Sequence, residues 1–303
     1  MIKNIFRKFA VKIGVRKPVN KFMRIISKDP LNASLHLQYA VRSFKRGQNY
    51  LAFAELKTAE FLGVNDAELL EYKDSILNSM PRNEIMNHNQ YFRLKSLASE
   101  LKDRSKSNHF SVLDVGGGAG VLASFIPEAS YCLAEPSVNG ISGTDLPFPD
   151  RSFDYVVSCH VLEHIPPEQR ESFLDQLLAK SKYGLILLNP FYIEGTSVEE
   201  RLKLVIDVTG ADWAKEHLKC TLPKIEDVKK YAKKKKVKIT IRPNGTLTTT
   251  QALVFVDYFS GKSFSRSDRE KVNCFFNTNF DNNILDSEKY PVGYLVYLSR
   301  SEG

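Results

Sequence analysis

The sequence predicts an α/β protein: a three-layer, Rossmann-like sheet, mostly parallel with an antiparallel last strand, behind an all-helical N-terminal extension. Three observations carry this. From Phe110 onward, short apolar runs alternate with helical patterns, and that alternation implies crossover units. The apolar run Val112-Leu113-Asp114-Val115 leads straight into a turn built on Gly116, Gly117, Gly118 and Gly120. Before Phe110 the periodicity is helical. A chain of 303 residues accommodates one large α/β domain plus a smaller attachment, which gives a helical extension over 1–104 and the α/β domain over 105–303.

At the start of the chain, apolar and basic groups alternate. Ile2, Ile5, Phe6, Phe9, Ala10 and Ile13 share one helical face, with Lys3, Arg7, Lys8 and Lys12 elsewhere. Such a stripe either packs on the protein itself or lies on an anionic membrane surface through residues 1–17. Pro18 interrupts the helix. Residues 31–80 read as short helices. Within 33–66, Tyr39-Ala40, Gly47, Ala52, Leu56 and Ala59 fall near the packing positions of one tetratricopeptide-like helix pair, with Gly47 closing the turn. A lone pair cannot bury its own faces, so it must dock on something else, in this protein or in a partner. A longer connecting helix follows over 82–104.

In the α/β part, strands are expected over Ser111–Val115, Tyr131–Ala134, Phe153–Cys159, Tyr183–Asn189, Val237–Arg242 and Val292–Leu298. Helices are expected over Val121–Ile126, Pro167–Lys180 and Glu226–Lys235, and a helical cover near 192–223 and 246–280. The final apolar run would close the sheet as a late edge strand.

Apolar residues make up 43% of the chain and charged residues 26%, ordinary for a globular protein. The net charge of +8 is concentrated in two places. Residues 1–28 hold nine Lys or Arg and no acid, and Lys229–Lys238 holds seven Lys. No aromatic stacking platform or nucleic-acid module accompanies the second run, so a solvated helix face is expected and nucleic acid is not. Cys132, Cys159, Cys220 and Cys274 are scattered, with no CxxC pair and no His at zinc-ligand spacing. That pattern points to a reducing, cytoplasmic setting and to no metal site. No apolar run approaches the ~20 residues of a membrane helix.

Chemistry is concentrated at the glycine turn, Asp114-Val115-Gly116-Gly117-Gly118-Ala119-Gly120. Glycines there let the backbone turn tightly and let a ligand approach with no Cβ in the way. A dinucleotide fingerprint would need glycine at 121, where Val121 stands. Two further blocks follow in order: Asp145-Leu146-Pro147-Phe148-Pro149-Asp150-Arg151-Ser152-Phe153-Asp154-Tyr155-Val156, then Val161-Leu162-Glu163-His164-Ile165.

With these three blocks the stretch from about 110 to 190 resembles the class I S-adenosylmethionine-dependent methyltransferases, in the branch with an LPFPD, SFD and LEH signature. The resemblance implies S-adenosyl-L-methionine as cofactor. Asp114 with Gly116, Gly118 and Gly120 would hold its methionine part, Glu135 the ribose hydroxyls, and Asp145 and the Leu146 backbone the adenine. A carboxylate at the C-terminal end of a strand is independently well placed to accept from a vicinal diol. Only nine residues separate Glu135 from Asp145, too few for the helix and strand that most of the family carries there, so a more open adenine side is expected.

Methyl transfer needs in-line positioning and, for a hydroxyl acceptor, a proton acceptor. His160, leaving the strand tip, and His217, in Trp213-Ala214-Lys215-Glu216-His217-Leu218, are the candidates for general base. His164 and Glu163 are expected to anchor the loop. Asn189 and Tyr192 end the next strand, as acceptor contacts or as turn residues. A small-molecule or carbohydrate-like acceptor methylated at oxygen follows from the resemblance alone. The rivals are a non-catalytic scaffold of the same fold and a nucleic-acid methyltransferase.

Overall fold

A computed structural model describes residues 21–64, 67–105, 107, 109–279 and 291–300. The proposed membrane contact through residues 1–17 lies outside them. Among the described residues, no helix is long and apolar enough to cross a membrane.

The N-terminal part is a run of helices: α1 (Lys21–Ile26), α2 (Ala33–Phe44), α3 (Asn49–Phe61), α4 (Ala67–Asn78) and α5 (His88–Arg104). Asn32 caps α2 by accepting from the Leu35 N–H, and Gly47 turns the chain into α3 in the left-handed conformation. Then come β1 (Ser111–Val115), β2 (Ser130–Ala134), β3 (Phe153–Cys159), α6 (Arg170–Lys180), β4 (Ser181–Asn189), α7 (Val198–Thr209), α8 (Asp212–His217), α9 (Ile225–Lys235), β5 (Lys238–Thr246), α10 (Leu247–Ser263), α11 (Arg266–Asn279) and β6 (Pro291–Ser299).

The six strands form one sheet in the order β2-β1-β3-β4-β6-β5. β2, β1, β3 and β4 are mutually parallel, and β6 runs antiparallel to both β4 and β5. The last strand is therefore antiparallel, but it is inserted between β4 and β5 rather than closing the edge. Burial explains the placement. Leu295, Val296 and Leu298 are buried, as an interior strand requires. β5 alternates exposed and half-buried residues and reads as the edge.

At the other edge, β2 is covered by helices. The Leu133 N–H and C=O point away from β1; they meet the Thr58 hydroxyl of α3 at 3.0 Å and the Asn139 side-chain amide at 2.8 Å. Buried edge groups left unpaired would each cost about 1–3 kcal/mol. α3 is buried nearly all round, from Leu51 to Ala59, and shares one apolar core with the sheet. Here the helix pair docks on its own sheet.

The expected helix over Val121–Ile126 is a single 3-10 turn, Val121–Phe125. Two features stop it. Pro127 follows at once, and α3 already occupies that flank: a Cβ on Gly120 would sit 2.2 Å from the Ala54 Cβ. Between β2 and β3 the chain makes only an isolated bridge, Ser142 to Asp145, with neither helix nor strand. The lysine-rich α9 pairs Lys229 with Glu226, Lys230 with Asp227, Lys234 with Glu171 and Lys235 with Asp175. These are exposed pairs of little energetic weight, and they describe a solvated face.

Candidate functional site

The glycine turn is folded around a carboxylate. Asp114 is 2% exposed, and its Oδ2 accepts from the Tyr131 hydroxyl at 2.6 Å. Burial pushes its pKa up to about 7, against the Tyr131 hydrogen bond that pulls it down and with Glu135 adding to the rise. A Cβ on Gly117 would lie 2.2 Å from that same oxygen, so the turn closes only over glycine. Gly116, at φ +78°, faces the Val161 side chain, 2.3 Å from where a Cβ would be. Gly118 differs: its φ is +58°, and nothing lies within 4 Å of its missing Cβ. This is open cradle space over backbone, the property a bound ligand needs.

Glu135, half-buried just past the tip of β2, faces this cradle. Its Oε2 accepts from the Gly118 N–H at 3.1 Å, and its Oε1 from the Ser137 N–H at 2.9 Å and hydroxyl at 2.6 Å. The Glu135 N–H in turn donates to Asn139 Oδ1 at 3.0 Å. Asn139 also donates to Glu55, whose other oxygen is 2.5 Å from His36 Nδ1. A polar chain thus runs from the N-terminal helices to the backbone that carries the carboxylate. Three of the four lone-pair sites of that carboxylate are taken, so Glu135 is oriented, with Oε2 free to accept one hydroxyl and Oε1 a second only if the Ser137 hydroxyl turns away. Asp145 is exposed, and Leu146 behind it is buried. The open cradle and the preorganised carboxylate fit the cofactor that the sequence implies.

Beside the turn opens a cleft of about 860 Å³, lined among others by Arg93, His160, Asn189, Arg201, Trp213 and His217. Its position follows from the chain: Val161 packs on Gly116, so His160 stands one residue from the glycine turn. His160 adopts φ +56°, a left-handed conformation costly for a non-glycine residue and characteristic of functional sites. Burial, and then the nearby Arg93 cation, push its pKa down to about 4 against the pull of Glu163. The ring is therefore neutral at neutral pH.

His160 and His217, 57 positions apart in sequence, converge on one carboxylate. Glu163 Oε1 is 3.4 Å from His160 Nδ1 and 3.8 Å from His217 Nε2. Glu163 is 2% exposed; its Oε2 accepts from Asn189 Nδ2 at 2.5 Å, whereas Oε1 makes no hydrogen bond. His164, expected to anchor the loop, makes its contacts with side chains: its Nδ1 lies 3.4 Å from Cys220 Sγ, and its ring packs edge-on against His217. Tyr192 does not line the cleft; the Lys224 ammonium lies over its ring.

Glu163, Arg93 and Arg201 were not legible as site residues. The two arginines sit on α5 and α7, far from any motif, and only the fold brings them to the cleft.

Residues 83–191 match the family model of a methyltransferase domain. Among solved structures, an S-adenosylmethionine-dependent methyltransferase from Archaeoglobus fulgidus is similar at 16% identity, covering 78% of this chain and 100% of its own, with a TM-score of 0.40. Phosphoethanolamine N-methyltransferase 2 from Haemonchus contortus, in complex with S-adenosyl-L-methionine, is similar at 14% identity over 69% of this chain and 52% of its own, with a TM-score of 0.44. No curated protein matches the chain.

Proposed function

We propose that this chain, which carries a class I S-adenosylmethionine-dependent methyltransferase domain, transfers the methyl group to an oxygen of a small, carbohydrate-like acceptor held in the cleft beside the glycine turn. The carrying observation is the adjacency of donor cradle and cleft, through Val161 on Gly116.

The acceptor class rests on what lines the cleft. Asn189 Oδ1 and Gln251 Nε2 are buried and make no hydrogen bond, and both residues line it. Buried amide groups of this kind require a polar partner. Trp213, 45% exposed, gives an apolar ring beside them, and Arg93 and Arg201 supply positive charge. Amides around an aromatic face suit a hydroxylated ring. In the transfer, the S–CH3 bond breaks with its electron pair staying on sulfur, the O–CH3 bond forms, and the hydroxyl proton must leave. His160 and His217, around Glu163, are the groups at hand for the hydroxyl.

Glu135 takes the ribose hydroxyls in this reading, the second in exchange for the Ser137 hydroxyl, and Asp114 with the turn at Gly116, Gly118 and Gly120 takes the methionine end. Asp145 and Leu146 border the adenine. The test is transfer of a labelled methyl group from S-adenosylmethionine to a panel of sugars, glycosides and small amines. Label in the hydroxylated acceptors supports the proposal. Label only in amines refutes the oxygen assignment.

A further inference from the structure

We propose that His160, Glu163 and His217 form a binding site for a first-row divalent cation in the floor of the cleft, with its free positions turned to the acceptor. The inference rests on the cleft being the acceptor site, and it adds a group that the sequence did not lead one to expect.

The geometry is that of a three-ligand site. One donor atom from each residue lies within 4.8 Å of the other two, and among the described residues this is the one such cluster of His, Cys, Asp and Glu. Bonds of about 2.0–2.2 Å to nitrogen and oxygen set neighbouring donors about 3–3.5 Å apart. The 3.4 Å and 3.8 Å separations from Glu163 are close to that. His217 rides on α8, a six-residue helix of the cover, so a small inward shift of that helix completes the set.

Hydrogen bonding points the same way. His217 Nδ1 lies 2.9 Å from the Trp213 carbonyl oxygen, which only accepts, so Nδ1 carries the proton. In the neutral ring Nε2 is then a bare lone pair, aimed at a carboxylate oxygen. That oxygen, Glu163 Oε1, is buried without a hydrogen bond. A lone pair facing a buried carboxylate oxygen that has no hydrogen bond favours a positive centre between the two. The other carboxylate oxygen is fixed by Asn189 Nδ2 at 2.5 Å, and the far nitrogen of His217 by backbone. Metal ligands are held in place by outer hydrogen bonds of this kind. Two imidazoles and one carboxylate select a borderline cation such as Zn²⁺, Co²⁺ or Mn²⁺ and leave positions open. There a cation would take acceptor oxygens and lower the pKa of a bound hydroxyl, whose proton then leaves to water and not to either histidine, and it would pin the cover to the sheet.

Co²⁺ tests this, because its visible absorption reports the ligand set. Full-length protein, freed of metal with a chelator, is titrated at neutral pH by absorption and calorimetry, with S-adenosylhomocysteine titrated in parallel. One Co²⁺ per chain is expected, with a visible band of nitrogen and oxygen coordination. His217→Gln and Glu163→Gln should each weaken binding at least about tenfold. If Glu163→Gln fails to fold, His217→Gln, on the cover, decides, given a cooperative melt. No Co²⁺ binding, or binding that neither variant changes, overturns the site. S-adenosylhomocysteine bound without Co²⁺ refutes the cation site alone. Co²⁺ bound without S-adenosylhomocysteine refutes the methyl-transfer reading and leaves the cation site standing.

Discussion

Asp114 shows how one residue can shape a site while making demands of its own. It sits buried in the hinge of the glycine turn with a single side-chain hydrogen bond from Tyr131. Its pKa is raised from 3.8 to about 7, so between these values the folded state binds a proton that the unfolded chain releases. The stabilisation from that proton is fully present below pH 3.8 and is lost as the pH rises through 7. Every tenfold gain in proton affinity on folding is worth ~1.4 kcal/mol. Asp114→Asn keeps the acceptor for Tyr131 and removes the charge. Its denaturant midpoint should therefore change less than that of the parent between about pH 5 and 8, and should exceed it at the upper end of that range. An equally steep fall in both proteins would show that Asp114 is not the titrating group.

At the scale of elements, α3 supports the glycine turn. Ala54 abuts Gly120, and Thr58 satisfies the edge of β2. Ala54→Leu forces new volume between helix and turn, at a cost of about 1–3 kcal/mol, and should weaken S-adenosylhomocysteine binding as well as lower the melting temperature. A lower melting temperature with unchanged affinity would separate the helix from the site. Thr58→Val leaves the buried Leu133 N–H without a partner and should cost about 1–3 kcal/mol in urea unfolding. A cost near zero would mean that water reaches that edge.

The strands were legible because their apolar runs are short and bounded: β1 and β3 begin and end where the pattern does, β2, β4 and β6 extend it at one end or both, and β5 starts one residue later and runs on to Thr246. What periodicity does not encode is contact. The 3-10 turn at Val121 and the insertion of β6 both depend on a neighbour far away in sequence. The same limit applied to the site. The glycine turn and Glu135 are local features of strand ends, whereas Glu163 becomes a site residue only when α8 brings His217 across the cleft.

Taken as a whole, the molecule binds its extension to its sheet by one apolar core and by the chain His36, Glu55, Asn139, Glu135. The helices preceding β1 take over the work of the helix and strand missing between Glu135 and Asp145. A truncated chain beginning at residue 80 should consequently fail to give a cooperative melt, since it exposes the β2 edge and the floor of the turn. A truncated chain that melts cooperatively and binds the cofactor product would refute this. In the proposed reaction the cradle between Gly118 and Glu135 holds S-adenosylmethionine. Calorimetric titration of the full chain with S-adenosylhomocysteine, beside Glu135→Ala, tests it most directly. Micromolar binding that weakens at least about tenfold in the variant, as losing a charged hydrogen-bond acceptor implies, is the predicted result. No heat at millimolar ligand, or equal affinity in both proteins, would contradict it.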